Sequence, residues 1–343
     1  MVARLNGVVL MVLLAGLGVA GLLRADFSGS LRGGFVDGAT QEALEDAFDD
    51  ALPHRATSEH IWTSIWFGLF RETAEGAVAG KSGWLFTDEE YRYDEQADDR
   101  LAENLDLIVG TAATLEDRGI TLIVALLPDK ARIYPEHLAR PRPTGSEMRF
   151  DRSIEVLAPA GLNAPDLRDA LLAAKAEGPT FLARDTHWTP LGAQRVAAVL
   201  APMIAAEISQ LTSYEITPAA DILRRGDLMS FVDTGPFADW FGLTPETVAQ
   251  FDVFPVSDGL GLFDEQPPVE VVLVGTSYSA DPTWGFADFL RYELGADVLD
   301  LSKSGVGPFV PMQEFLDNDM ESEEAVTVVV WEIPERYLTL VEY

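Results

Sequence analysis

The 343-residue sequence contains no cysteine, which excludes a disulfide framework, a thiolate zinc site and a cysteine nucleophile. Basic residues are also scarce: 24 Lys and Arg stand against 56 Asp and Glu, for a formal net charge of −32. This charge argues against nucleic acid as a partner and against docking on anionic lipid. It also disfavours a polyanionic substrate, unless a local basic patch or cations intervene.

Long hydrophobic runs are nearly absent, and the single exception lies at the N-terminus. Residues 7–23 are uncharged and apolar, between Arg4 and Arg24. At about 1.5 Å per residue they span about 25 Å as a helix, just short of a hydrocarbon core. A signal peptide and an uncleaved signal anchor both fit residues 1–24, and we favour the anchor because the apolar run continues past the small residues at 18–20. In either case we expect the body of the protein to be exported.

The rest of the chain shows the alternation of an α/β protein. We interpret residues 25–60 as a stem with one helix and residues 61–343 as one domain. Short apolar runs that end at turn residues are typical of strands buried in a parallel sheet. The fold class we predict is α/β, with a mostly parallel sheet flanked by helices. We expect strands at 121–127, 269–274, 297–301 and 326–331, and helices at 41–52, 101–117, 166–176, 190–208, 217–230 and 244–250.

Residues 184–192, which read Arg-Asp-Thr-His-Trp-Thr-Pro-Leu-Gly, are the most informative stretch. In an extended segment, residues two apart project from the same side, so Asp185 can bond Nδ1 of His187 and leave Nε2 free. Thr189 and Pro190 then form a strong helix start. An imidazole oriented by a carboxylate is the base half of a hydrolase triad, although a histidine bonded near a helix start is also common in purely structural roles.

Residues 271–279 supply the candidate nucleophile. An apolar strand ends at Gly275, and Ser277 follows where ligands bind in open α/β sheets. A serine hydroxyl needs an adjacent base, which His187 provides, and the amide of Ser277 can face a developing oxyanion. Ser279 is a second, weaker candidate. Taken alone, Gly-Thr-Ser is also an ordinary polar turn.

Two other interpretations of these motifs are less favoured. An Asp-x-His pair also occurs at metal sites, but no His-x-His or His-Glu-x-x-His motif accompanies it, and we expect no metal. The Gly-x-Ser-x-Gly motif of α/β-hydrolases is absent, and the chain order Asp, His, Ser differs from theirs.

Residues 185–189 (Asp-Thr-His-Trp-Thr) and 275–279 (Gly-Thr-Ser-Tyr-Ser) closely resemble the alginate O-acetyltransferase family, the AlgJ/AlgX-type proteins with an SGNH-hydrolase-like domain. Supporting matches lie at 80–86, 128–135 and 331–338. The chain is more similar to the AlgJ type in length and N-terminal segment. The resemblance implies an SGNH-like domain with a permuted triad order, in which Ser277 is the nucleophile, His187 the general base and Asp185 its orienter.

The resemblance also implies an activity. Members acetylate exopolysaccharide hydroxyls outside the cytoplasmic membrane, with acetyl groups supplied through a membrane-bound O-acyltransferase, and no cofactor is implied. We therefore expect a periplasmic enzyme held at the inner membrane by residues 7–23. An acetylesterase with the same triad, or a non-catalytic glycan-binding or export scaffold, are the alternatives.

A local basic cluster and nearby aromatics are the candidate substrate contacts. Lys130, Arg132, Arg140 and Arg142 surround Tyr134 and His137 in the sequence. We name as candidate substrate-binding residues Lys130, Arg132, Tyr134, Trp188 and Tyr278. Residues 301–307 are a candidate active-site loop, although a plain strand-to-helix turn fits them equally.

Overall fold

The computed structural model describes residues 2–29, 38–53, 55–256, 268–317 and 325–341. The chain divides into two compact units. The first comprises Met1–Glu72 and Val232–Phe241, and the second comprises Thr73–Phe231 and Gly242–Tyr343. The predicted start of the main domain, at residue 61, lies inside a helix of the first unit.

The first unit is helical. It contains α1 (Val2–Arg24), α2 (Ala39–Ala51), α3 (Arg55–Phe70) and a 3-10 helix at Gly235–Phe241. Phe67 is its buried aromatic residue and packs edge-on against Phe241, with ring centroids 5.5 Å apart. Over the described part of the chain, no helix has both the length and the apolarity needed to cross a membrane.

The second unit contains all the strands of the described residues. They are β1 (Ala77–Ala79), β2 (Leu85–Thr87), β3 (Thr121–Leu127), β4 (Tyr214–Arg224), β5 (Glu246–Pro255), β6 (Val271–Val274), β7 (Val298–Asp300) and β8 (Val328–Pro334). The helices of this unit are α4 (Ala97–Asp117), α5 (Lys130–Ile133), α6 (Thr144–Leu157), α7 (Arg168–Ala174), α8 (Pro190–Ala205), α9 (Ser277–Ala280), α10 (Phe286–Leu294) and α11 (Phe309–Asp317). Helices and strands thus alternate along much of the chain, as in α/β proteins.

A parallel sheet with the order β3-β8-β6-β7 forms the centre of this unit. The strands β8 and β6 are buried on both faces, whereas Leu299 of the edge strand β7 is exposed. Ile123 and Leu273 belong to an apolar core shared with α8 and α10, whereas Val124 and Val274 belong to a second core shared with α4 and α11. Successive residues of one strand enter different cores, because their side chains point to opposite faces of the sheet. The predicted α/β class with a parallel sheet is confirmed.

Residues 214–255 depart from the prediction. The helices expected at 217–230 and 244–250 are wrong: β4 and β5 form an antiparallel ribbon instead, from Tyr214 opposite Pro255 to Arg224 opposite Glu246, with an irregularity between Ala219 and Ile222. The apolar residues of this region recur at three- and four-residue spacings that fit a helix. Cross-strand pairing decides the outcome, and it is not visible in local periodicity.

Candidate active site

Ser277 lies at the carboxyl edge of the parallel sheet. β6 ends at Val274, and a turn through Gly275 and Thr276 leads into the short helix α9, which Ser277 begins. The hydroxyl of Thr276 caps this helix by accepting a hydrogen bond from the amide of Tyr278. No described residue accepts a hydrogen bond from the amide of Ser277 itself. The turn therefore presents both a hydroxyl and an unused amide donor at the same point.

The segment before α8 brings Asp185 and His187 together, but through bends at residues 183–187 rather than through the extended conformation assumed for the i, i+2 spacing. Nδ1 of His187 lies 2.6 Å from Oδ1 of Asp185, and the amide of His187 donates to the same oxygen at 3.0 Å. Asp185 is fully buried. Burial alone would raise its pKa, but hydrogen bonds from His187 and the amide of Asp227 hold the pKa below its usual range. We therefore expect Asp185 to be ionised at neutral pH.

The two halves of the site meet through a hydrogen bond between Nε2 of His187 and Oγ of Ser277, 2.8 Å long. Asp185, His187 and Ser277 thus form a continuous chain of hydrogen bonds over 92 residues of sequence. Trp284 stacks on the imidazole of His187, with centroids 5.1 Å apart and planes 17° apart. The stacked ring limits rotation of the imidazole away from Ser277.

Trp188 and Tyr278, two of the predicted substrate-binding residues, lie in the interior and join the two halves of the site. The indole Nε1 of Trp188 donates to the carbonyl of Tyr278 at 3.1 Å, and the hydroxyl of Tyr278 donates to the carbonyl of Thr186 at 2.7 Å. Both side chains are at most 2% exposed. Neither lines the open cleft described below, so the structure gives both residues a role in holding the site together.

Lys130, Arg132 and Tyr134 are likewise engaged inside the protein. Nζ of Lys130 donates to the carbonyls of Leu85, Ala183 and Asp185, at 2.6, 3.0 and 2.9 Å. Burial lowers the pKa of this ammonium to about 8. The other contacts are Arg132 with Glu335 and Tyr134 with Thr180.

The candidate substrate-binding residues Lys130, Arg132 and Tyr134 therefore form interior contacts, whereas Arg140 of the same cluster is exposed. Arg142 is also buried and is paired with Asp129, while none of Lys130, Arg132 and Tyr134 lines the cleft. Glu335, the acid that pairs with Arg132, lies 203 residues away in sequence, whereas Asp129 and Glu147, which pair with Arg142, lie close to it in sequence.

Asp227 brings a second carboxylate to the histidine. Its Oδ1 accepts from the amide of Thr186 at 2.8 Å, and its Oδ2 lies 3.7 Å from Nδ1 of His187. Partial desolvation, together with the negative charge of Asp185, raises the pKa of Asp227. The side chain is still 41% exposed, so it reaches the solvent of the cleft.

Asp185, His187 and Asp227 together are a possible metal-binding group, with their ligand atoms within 4.8 Å of one another. The geometry favours hydrogen bonding. Zinc ligands at about 2.0–2.2 Å in a tetrahedron lie about 3.3 Å from each other, whereas the Asp185 and His187 atoms are 2.6 Å apart. A separation of 2.6 Å fits a charge-assisted hydrogen bond.

A cleft of about 350 Å³ opens over Ser277 and His187. Its polar wall consists of Thr87, Asp88, Glu89, Arg92, Asp227, Arg336 and Tyr337. The two arginines face acids of the same wall: Arg92 bonds Asp88 and Arg336 bonds Glu89, at 2.9 and 2.7 Å. Residues 301–307 do not line this cleft, although the amide of Lys303 donates to the carbonyl of Gly275 at 3.0 Å.

Glu332 is the functional candidate that the sequence analysis missed. It lies on β8, is fully buried, and accepts hydrogen bonds from Thr276 and Ser279, on either side of Ser277. A charged residue inside an otherwise apolar strand sequence, Val-Val-Val-Trp-Glu-Ile-Pro, is the signal that marks it.

A hydrogen-bonded Ser-His-Asp chain at the carboxyl edge of a parallel sheet is the arrangement with which serine hydrolases carry out acyl transfer, here in an α/β domain. Residues 77–335 match the family described as SGNH hydrolase-like domain, acetyltransferase AlgX. The chain belongs to this family, and the resemblance stated from its motifs is confirmed.

Similar proteins place the chain nearer the AlgJ type. It is 36% identical over 326 residues to a probable alginate O-acetylase AlgJ of Pseudomonas syringae pv. tomato, covering 92% of this chain and 82% of that protein. The corresponding Pseudomonas aeruginosa protein is 35% identical over 332 residues, covering 92% and 83%. Among solved structures, the O-acetyltransferase domain of Pseudomonas putida AlgJ superposes with a TM-score of 0.70 at 33% identity, over 79% of this chain and 94% of that one.

Replacing Lys130 by Met tests its interior role. We expect Lys130→Met to lower the free energy of unfolding by about 1–3 kcal/mol, because three buried carbonyls lose their donor. Urea denaturation measures this. Lys81→Met, at an exposed lysine, is the control and should change stability by at most about 0.5 kcal/mol. Equal stability of the two variants would contradict the assignment.

Proposed function

We propose that this chain is an O-acetyltransferase that acetylates an exopolysaccharide through an acetyl-serine intermediate on Ser277. The observation that carries the proposal is the 2.8 Å hydrogen bond between Ser277 and a histidine held by a buried carboxylate. Family membership adds the reaction class, since the matching domain is described as an acetyltransferase. The relatives are named probable alginate O-acetylases, and we take alginate as the acceptor to test first.

The first half-reaction forms the acetyl-enzyme. Oγ of Ser277 attacks the acetyl carbonyl carbon while Nε2 of His187 takes the hydroxyl proton. Asp185 accepts a hydrogen bond from Nδ1 and stabilises the imidazolium. The amide of Ser277 donates to the developing oxyanion. The intermediate then collapses, the bond to the donor breaks, and His187 returns the proton to the leaving group.

The second half-reaction transfers the acetyl group. A sugar hydroxyl attacks the acetyl-serine carbonyl and gives its proton to His187. The serine–acyl bond breaks, and the proton passes from His187 to Oγ of Ser277. Water competes at this step, so an acceptor positioned in the cleft is part of the mechanism. Asp227 and the charged wall of the cleft stand where an acceptor would approach.

We further propose that the enzyme works outside the cytoplasmic membrane, in the periplasm. The support is the apolar run at 7–23, bounded by Arg4 and Arg24. An acetyl donor on that side of the membrane requires a carrier, and we propose a membrane-bound O-acyltransferase as the supplier, with residues 7–23 holding the chain at the inner membrane.

Acetyl transfer by the full chain tests the proposed reaction. We expect Ser277→Ala to abolish cleavage of a chromogenic acetyl ester and acetylation of alginate oligosaccharides detected by mass spectrometry. Asp185→Asn should lower kcat by about 10⁴-fold, since the amide favours the wrong imidazole tautomer. Ester cleavage with water as the only acceptor would indicate an acetylesterase. If Ser277→Ala and wild type show the same rates, the serine assignment is wrong.

Protease accessibility tests the location. In spheroplasts we expect added protease to degrade the chain while a cytoplasmic marker stays intact, because the export segment places the body outside. A variant lacking residues 2–24 is the control and should be protected. Protection of the full chain would exclude a periplasmic enzyme.

A further inference from the structure

Glu332 is a buried carboxylate at an unusual position. All seven residues of β8 are buried, and this strand lies between β3 and β6 in the sheet. A carboxyl group in such a place costs free energy unless hydrogen bonds replace the water it has lost. Within the described residues Glu332 forms no ion pair, so its hydrogen bonds must compensate for the lost hydration.

Among the described residues, the carboxylate of Glu332 forms hydrogen bonds only with the turn that carries Ser277. Its Oε2 accepts from the amide of Thr276 at 2.7 Å and from the hydroxyl of Ser279 at 3.1 Å. The hydroxyl of Thr276 lies 3.0 Å from Oε2 and 3.2 Å from Oε1. With its proton directed at Glu332, this hydroxyl turns a lone pair to the amide of Tyr278 and caps α9. One carboxylate therefore fixes both ends of the four-residue turn.

Gly275 allows this close approach. A Cβ at residue 275 would lie 2.5 Å from Oε2 of Glu332 and 2.9 Å from its Cβ. No real side chain tolerates such contacts without moving Glu332 or the turn. Four positions of the motif Gly-Thr-Ser-Tyr-Ser thus have a physical explanation. Gly275 leaves space for the carboxylate of Glu332, Thr276 and Ser279 donate hydrogen bonds to it, and Ser277 bonds His187.

We propose that Glu332 is a positioning residue for acyl transfer: it holds residues 276–279 so that Oγ of Ser277 stays within hydrogen-bond distance of Nε2 of His187. The inference rests on the proposed function of Ser277. Small errors in the placement of a nucleophile have large kinetic effects, since a displacement of about 1 Å lowers a rate by about 10²-fold.

The cost of burying Glu332 agrees with a functional reason for its presence. Burial raises the pKa of Glu332 to about 7, although hydrogen bonds from Thr276 and Ser279 and the charge of Arg336 act in the opposite direction. An acid whose pKa is raised by folding stabilises the protein at low pH and loses that contribution as pH rises through the folded value. An apolar or amide side chain avoids this loss.

Labelling of Ser277 by an aryl sulfonyl fluoride measures its placement without any acceptor. The Ser277 oxygen–sulfur bond forms, the sulfur–fluorine bond breaks, fluoride leaves, and His187 takes the hydroxyl proton. We expect Glu332→Met, which removes the acceptor at similar volume, to slow labelling of the full chain about tenfold or more. Glu332→Gln keeps an acceptor for the Thr276 amide and should retain most of the rate.

Thermal unfolding separates positioning from a merely structural role. We expect the melting temperature of Glu332→Gln, relative to wild type, to rise between about pH 4.5 and about pH 7 and then to level off, because wild type loses stability between the ordinary and the raised pKa of Glu332. Slower labelling of Glu332→Met with a melting temperature that stays within the range of active variants supports positioning. If labelling slows only because the melting temperature of both Glu332 variants falls sharply, the positioning role is overturned.

Matched serine variants complete the test. Ser279→Ala removes one donor to Glu332 and should slow labelling, whereas Ser153→Ala removes a buried hydroxyl that bonds only its own helix, at Arg149, and should not. If wild type is labelled and Glu332→Met is labelled at the same rate, the positioning role is overturned and the proposed function stays intact. Wild type that is labelled no faster than Ser277→Ala overturns the proposed function and this inference together.

Discussion

Two hydrogen bonds hold together the segments on which the site depends. Ser277 and His187 are 90 residues apart in sequence, yet their reacting atoms must stay within a hydrogen bond of each other. The indole of Trp188 donates to the carbonyl of Tyr278, and the hydroxyl of Tyr278 donates to the carbonyl of Thr186. The two residues that flank His187 are therefore both hydrogen-bonded to the residue that follows Ser277. Because both bonds are buried, water does not compete for them, and they fix the backbone around His187 against the backbone around Ser277.

Buried charged side chains further restrain the backbone near the site. The ammonium of Lys130 donates to the carbonyl of Asp185, while Arg142 and Arg149 both donate to the buried carboxylate of Asp129. Removing one partner of such a group leaves an uncompensated buried charge, so these residues are constrained as a set. A protein that is acidic overall thus has several of its few cations in the interior, where they bond backbone carbonyls and buried carboxylates near the candidate site.

The sequence predicts those features of the fold and of the candidate site that depend on local relations, and it misses those that depend on distant partners. Asp185 and His187 depend only on an i, i+2 spacing, and Ser277 depends on a strand followed by a turn. The parallel sheet follows from short apolar runs. The ribbon at 214–255 and the roles of Lys130 and Glu332 depend on partners far along the chain. No local pattern distinguishes a lysine that faces solvent from one that bonds three interior carbonyls.

The charge of the cleft bears on how the polysaccharide acceptor proposed above would approach. Its two cations, Arg92 and Arg336, already bond Asp88 and Glu89, and Asp227 adds a further carboxylate near His187. A polyuronate therefore meets a wall with no surplus of positive charge, on a chain of net charge −32. At physiological salt the Debye length is about 8 Å, so repulsion from distant surface acids is largely screened, while the acids of the cleft act at short range. Under the function proposed above, acceptor selection would then rest on hydroxyl hydrogen bonding to these carboxylates and on the shape of the cleft, rather than on charge attraction.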